Sequence, residues 1–359
     1  MTILSILLAV LLLAILIVVH EAGHFWAARA LKIDVREFSV GFGPKLVGWK
    51  SCRHETDFAL RAIPLGGYCA FYGEDETGEI DRTDPRIFGN HPVWKRLIVI
   101  LMGPVMNFLL AFVLATGYYW IGGIGTVTGV DPYISEVTAA GPARSAGLQA
   151  GDVITEINGK NMLDGTVETL TGTIAAWQEG EDPLEMTVLR GEETLHLSVT
   201  PEWDPEAEKM RVGIMISGRY RVEYAPTDFI GAVRESAAMC VYASGAILNA
   251  LKALVTTGEG FDQTSGPVGI ISIVSSEVRT GGLQAFVEML ITISMNLGIM
   301  NLLPIPGLDG SRFLFGILEA IRRKPIKPER EAMVNLIGMG LLFALMIFLT
   351  FRDVIHLFR

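Results

Sequence analysis

Cysteine is scarce: Cys52, Cys69 and Cys240 are the only three in 359 residues. They are irregularly separated with no C-x-x-C pair among them, so neither a disulfide framework nor a cysteine-built metal site is expected. Charge is thin as well, with 19% of residues Asp, Glu, Lys or Arg, against roughly a quarter in a soluble domain. The formal charge is −10, from 29 basic and 39 acidic residues. No basic block follows that would track a phosphate backbone, so no nucleic acid is expected as a partner. The N-terminus also lacks the basic n-region and small-residue cleavage pattern of a secretory signal, which leaves its apolar run as a retained anchor.

What is present is apolar. Half of the residues are hydrophobic and the mean hydropathy is positive; they gather in a few long runs with the charged residues between. That distribution belongs to a membrane protein with soluble segments. Ile3 to Val19 reads ILSILLAVLLLAILIVV, and continued as a helix it crosses a hydrocarbon core of about 30 Å. Val93 to Ile121, Ala285 to Leu303 and Ala332 to Phe351 are three more such runs, giving an expectation of four spans. Arg29 and Lys32 follow the first, Lys95 and Arg96 open the second, and Arg322, Arg323, Lys324, Lys327 and Arg330 lie between the third and fourth. With these on the cytoplasmic side, both termini and the segment from about Gly122 to Leu283 fall outside. Arg352 and Arg359 oppose that orientation weakly.

At the end of the first run stands His20-Glu21-Ala22-Gly23-His24, an H-E-x-x-H pattern. At about 100° per residue the two histidines fall within roughly 40° of one another on a helix, so both imidazoles can meet one tetrahedral metal. Glu21 is then placed to reach a metal-bound water as a general base. Ionisable residues beside an apolar span are costly and mark function by default. Counted back from Arg29, His20 lies about 13 Å inside the boundary.

A catalytic zinc takes three protein ligands and keeps one position open, so a third donor is needed. The strongest candidate is Asp309, in Asn301-Leu302-Leu303-Pro304-Ile305-Pro306-Gly307-Leu308-Asp309-Gly310 just after the third run. Pro304 and Pro306 prevent a continuous helix there, and irregular backbone near membrane depth is tolerated only against protein or a water-filled cavity. The remaining histidines, His54, His91, His196 and His356, have no comparable setting and read as structural or surface residues.

Together these residues resemble the site-2 protease family of intramembrane metalloproteases, in particular its bacterial RseP-like branch. The motifs concerned are His20 to His24, Gly103-Pro104-Val105-Met106-Asn107-Phe108 in the second run, Gly266-Pro267-Val268-Gly269-Ile270 before the third, and Asn301 to Gly310. They cover nearly the whole chain. The resemblance implies a zinc ion held by His20, His24 and Asp309, with Glu21 activating water. It also implies that Asn107, Asn296, Asn301, Pro304 and Pro306 line the site and help to hold the substrate strand. Helix-to-helix hydrogen bonding is the other role open to the asparagines.

Phe38 to Tyr68 is glycine-rich with patches of strand-like alternation, a hairpin signal. It is similar to the family's membrane re-entrant β-hairpin, whose edge would accept an extended substrate by strand addition; an ordinary cytoplasmic hairpin is the alternative. Gly125 to Pro201 reads as a small mixed domain with strands near Val153 to Ile157 and Leu184 to Leu189. Its ARSAGLQAGD run, Ala143 to Asp152, followed by VITEINGK, resembles a circularly permuted PDZ domain present in one copy, with a groove beside Arg211-Val212-Gly213-Ile214. Phe229 to Leu254 has helical composition and mixed charge, suited to the membrane surface or to the domain.

The expected architecture is a polytopic α-helical membrane protein of about four transmembrane helices, with a re-entrant β-hairpin and an inserted α+β PDZ domain. Its segments are a first helix over 1–31, the hairpin region over 32–92, a second helix over 93–121 and the PDZ domain over 122–217. An extracytoplasmic or interfacial segment over 218–284, a third helix over 285–310, a cytoplasmic segment over 311–331 and a fourth helix over 332–359 complete it. The implied function is hydrolysis of a peptide bond within the transmembrane segment of a single-span protein, such as an anti-sigma factor or a signal peptide remnant. The implied place is the bacterial cytoplasmic membrane, with membrane lipid around the enzyme and the active site towards the cytoplasm. Two functions compete. A catalytically idle PDZ scaffold has no need of Glu21, and a zinc hydrolase of lipid or prenylated termini has no need of the glycine-rich hairpin.

Overall fold

The computed structural model describes residues 3–51, 55–73, 83–138, 141–163, 167–205, 208–261, 264–326 and 328–357; His54 lies outside them. The chain divides into two compact units, one of Met1–Ile121 with Asp228–Arg359 and one of Gly122–Thr227.

The first unit opens with α1 (Ile3–Ala30), apolar on all sides until His20. It stops where Lys32 takes a left-handed φ of 60° and the Ile33 N–H reaches back to the Ala28 carbonyl at 2.8 Å, a bond that satisfies an end carbonyl the helix leaves open. The expected hairpin follows as β1 (Val35–Lys50) and β2 (Asp57–Phe71), paired antiparallel. Its first half sets Ser39 opposite Tyr68 and Val40 opposite Gly67, and its outer half sets Val47 opposite Leu60 and Trp49 opposite Phe58. Register shifts lie between the halves, where Gly41 and Gly43 adopt φ near +90° and +83°. Next comes α2 (Val93–Gly122), with Pro104 inside it.

The second unit holds β3 (Ile124–Val137), α3 (Pro142–Ser145), β4 (Val153–Ile157), β5 (Lys160–Asn161), α4 (Val167–Ala175), β6 (Leu184–Arg190), β7 (Glu193–Val199), β8 (Glu202–Asp204), β9 (Lys209–Arg211) and β10 (Ile214–Ala225). Its main sheet runs β10-β3-β4-β6-β7, with β5 on β4, and β8 pairs with β9. Ile134, Ile154, Ile157, Leu170, Met186, Val188 and Trp177 form its core. Asn158 and Gly159, both at positive φ, close the two-residue turn between β4 and β5, as a tight hairpin requires. In the AGLQAGD run Gly147 and Gly151 take φ of +90° and +97°. The buried Asp152 that follows accepts from the Gln149 N–H at 2.9 Å and from Arg190 at 2.7 Å. The unit extends past residue 217, where the sequence placed its end, because β10 continues to pair with β3 as far as Ala225 opposite Ile124.

The chain then returns to the first unit as α5 (Phe229–Thr256), α6 (Pro267–Leu302), α7 (Asp309–Arg322) and α8 (Pro328–Leu357). Among the described residues five helices are long and apolar enough to cross a membrane: α1, α2, α5, α6 and the Glu331–Ile355 part of α8. The sequence reading counted four, since Arg234, Glu235 and Lys252 give α5 mixed charge. Its Val241, Tyr242 and Val255 are nonetheless exposed. The third run also starts earlier than Ala285, because α6 is helical from Pro267 with a break at Gly282 (φ 60°, ψ −139°). Leu12 and Leu16 of α1 pack on Val274, Val278 and Leu290 of α6, while α2 and α6 meet through Ala111, Ala115, Ile291 and Met295.

Candidate active site

His20, Glu21 and His24 lie in the C-terminal half of α1 and Asp309 is the first residue of α7. Chain reversal after α6 brings them together: His20 Nε2 is 3.0 Å from Asp309 Oδ2, His24 Nε2 is 3.3 Å from the same oxygen, and the two Nε2 atoms are 3.3 Å apart. Donors at about 2.0–2.1 Å from a tetrahedral zinc stand roughly 3.3 Å from each other. The three atoms therefore have the mutual spacing of a zinc ligand set, and among the described residues they form the one group of at least three His, Cys, Asp or Glu side chains with metal-binding proximity.

The other ring nitrogens support the same reading. His24 Nδ1 donates to the Val99 carbonyl at 2.8 Å, leaving Nε2 with its lone pair for a metal. The Asn107 amide lies 3.1 Å from His20 Nδ1, while its own Oδ1 is buried without a partner. A half-turn of that amide sets Oδ1 against Nδ1–H, which satisfies the orphaned oxygen and selects the metal-binding tautomer of His20.

Glycine makes the approach of α1 and α2 possible. A methyl on Gly23 would overlap the Met102 carbonyl, and one on Gly103 would overlap the His24 ring and meet His20 Cε1 at 2.9 Å. Pro104 removes the donor that would otherwise face the Ile100 carbonyl. On the opposite side β2 passes close to α1 at Gly67, where an added Cβ would meet Ile17 at 2.8 Å and the Ser39 carbonyl at 2.9 Å. The next amide but one, Cys69 N–H, donates to Glu21. A cavity of about 150 Å³ remains, lined by His20, Glu21, His24, Tyr68, Cys69, Phe71, Ile100, Asp309 and Arg312. At about 30 Å³ per water it has room for a few water molecules.

Of the residues assigned to the site from sequence, His20, Glu21, His24 and Asp309 converge on this cavity and Asn107 stands behind His20. Asn296 is exposed on α6, and Asn301 and Pro304 lie beside the cavity's loop without lining it. Pro306 faces elsewhere: with Ile305 it walls an apolar cavity of about 390 Å³ against Val334, Ile337, Gly338, Leu341, Leu342 and Leu345 of α8. His196 bonds Thr187 within the β6–β7 pair and His91 stands just before α2; neither lines the cavity. Sequence reasoning did not reach Tyr68, Phe71, Ile100 or Arg312. Only Arg312 carries a local signal, one helical turn after Asp309.

A histidine pair, a facing carboxylate and an adjacent glutamate on membrane-length helices are the layout of a metallopeptidase within a polytopic membrane protein. The model of peptidase family M50 matches residues 8–345, and the chain belongs to that family, the site-2 proteases. It is similar to the regulator of sigma-W protease RasP of Bacillus subtilis, 33% identical over 97% of this chain and 98% of that one. It is similar also to the zinc metalloprotease RasP of Bacillus licheniformis, 30% identical over 97% and 98%.

Proposed function

We propose that this protein is an intramembrane zinc endopeptidase that cuts within the transmembrane segment of single-span proteins, with His20, His24 and Asp309 as metal ligands and Glu21 as general base. The convergence of three donor atoms from α1 and α7, 289 positions apart in sequence, carries the reading. When bound, zinc would supply a Lewis acid that polarises the scissile carbonyl and lowers the pKa of water. Glu21, fixed by the Cys69 amide, would take the proton from the attacking water and pass it to the leaving nitrogen. The β1–β2 hairpin, read as re-entrant, would hold the opened substrate as an added strand beside Glu21. Main-chain pairing of that kind keeps an otherwise helical peptide bond extended and accessible.

Substrates are single-span proteins already shortened outside the membrane. The relative named regulator of sigma-W protease makes an anti-sigma factor the first to try, and signal peptide remnants the second. We place the second unit outside the cytoplasmic membrane as a PDZ domain. The test is cleavage of single-span substrates by purified protein: a zinc chelator should stop it, Glu21→Gln should hold zinc yet not cut, and Asp309→Ala should lose zinc. Chelator-resistant cleavage, or turnover by Glu21→Gln near the wild-type rate, would sink the assignment.

A further inference from the structure

The helix that carries Asp309 is amphipathic in an inverted sense. Leu314, Leu318 and Ile321, spaced i, i+4 and i+7, are exposed, whereas Asp309, Arg312, Gly316 and Glu319 share the opposite face at i, i+3, i+7 and i+10. Each of these four meets a partner inside the first unit. Asp309 meets the two histidines, and the Arg312 guanidinium lies 6.0 Å from the centre of the Phe88 ring. Gly316 is so close to Leu97 of α2 that an added Cβ would come within 2.7 Å of its Cδ2. Glu319 accepts from Arg96 Nη2 at 2.6 Å, and Arg96 also donates from Nε to the His91 carbonyl at 3.1 Å.

The ion pair is 16% exposed on Arg96 and 17% on Glu319, too enclosed to be dismissed as a solvated surface pair. Its geometry matters because it holds the far end of α7, ten residues from Asp309. At the near end Gly310 packs on the Leu302 and Leu303 carbonyls and the buried Ser311 hydroxyl donates to the Leu308 carbonyl and to Asn335 Oδ1, while Leu308 supplies no side-chain cap. A carboxylate roughly 5 Å from the axis moves by about 1.7 Å for a 20° roll. Metal-ligand distances tolerate about 0.2 Å. We infer that the Arg96–Glu319 pair, with Gly316 seated on Leu97, sets the roll of α7 and so holds the Asp309 carboxylate on His20 and His24 from about 15 Å away. Arg96 and Glu319 are positioning residues, and the inference rests on Asp309 being a metal ligand.

The experiment is the rate at which the purified full-length protein, loaded with zinc, gives the metal up to a chromogenic chelator, together with the rise in melting temperature that zinc produces. Glu319→Gln should release zinc about tenfold faster and show a smaller zinc-induced rise. A merely structural loss would lower the melting temperature of loaded and stripped protein alike. Exchanging the charges, Arg96→Glu with Glu319→Arg, should restore most of the retention. Leu318→Ala, on the exposed side of the same helix, should behave as wild type. Wild-type release by Glu319→Gln alongside zinc loss in Asp309→Ala overturns the brace and leaves the ligand assignment standing. Unchanged release in Asp309→Ala removes the ligand and the brace together. Equal effects of Leu318→Ala and Glu319→Gln also overturn it. Should Glu319→Gln fail to fold, the charge exchange decides: a folded exchange variant that does not hold zinc refutes the inference.

Discussion

At the scale of the residue, the site depends on what is missing as much as on what is there. Gly103 is the clearest case, since the volume that its side chain would occupy is filled by the His24 and His20 rings. Gly103→Ala should leave α2 helical, alanine being the better helix former, while displacing the imidazoles. The expected outcome is a fall of about 10- to 100-fold in zinc affinity, measured by competition with a chelator, and a parallel loss of cleavage. The histidines and Glu21 were legible in the sequence because one turn of helix relates them. Gly103 was visible only as part of a motif, since nothing local says which ring it must admit.

Elements come next, and the hairpin is the one proposed to join the metal site to a substrate. Strand β2 touches α1 through Gly67, and its Cys69 amide engages Glu21. Gly67→Val should push the strand away without touching any metal donor. Cleavage should then fall at least about tenfold, or 1.4 kcal/mol of barrier, while zinc content stays at the wild-type level. Loss of zinc in parallel would mean that the strand supports the ligands rather than the substrate. The second unit makes a different prediction through the AGLQAGD turn. Burial opposes ionisation of Asp152, but Arg190 and the Gln149 N–H outweigh it and hold the carboxyl below its ordinary range. A lowered folded pKa gives stability that is complete above the ordinary value near 3.8 and is lost as pH falls through the folded value. Asp152→Asn should remove that pH dependence and destabilise the unit, because it takes away the charged acceptor that Arg190 and the Gln149 N–H share. Amide exchange at Gln149 and along β6 would report both effects. Glycines among patches of strand-like alternation foretold the hairpin, and the AGLQAGD run stood out by its resemblance to a PDZ segment; periodicity had no part in the latter. It missed the full length of β10, whose outer residues are held by pairing with β3 rather than by a buried alternating face.

For the whole molecule the open matter is how a peptidase at membrane depth spares most membrane proteins. The second unit interrupts the chain between α2 and α5, and its two ends lie side by side, with the Gly123 backbone against Ala225. A short flexible linker can therefore replace 123–227 without stretching the helices. If the unit works as a size filter, the shortened enzyme should cut substrates whose outer domains are intact, and its rate on trimmed substrates should change little. Continued rejection of intact substrates by folded, zinc-loaded protein would remove the unit from that role.

Sequence by itself determined the membrane class, the helix bearing His20 and His24, the turn-rich second unit and the candidacy of Asp309, because each is written in residues that are neighbours along the chain. An apolar run, a four-residue spacing and a proline-broken loop express themselves locally. Tertiary structure alone decided that α6 begins at Pro267, that α5 is as long and apolar as a span, and that Pro306 turns towards α8 rather than the metal site. It also decided which face of α7 is turned inward. The reason is physical: the roll of a helix and the gap between two helices are set by contacts such as Arg96 with Glu319 and Gly103 with His24, and their partners lie tens to hundreds of residues away.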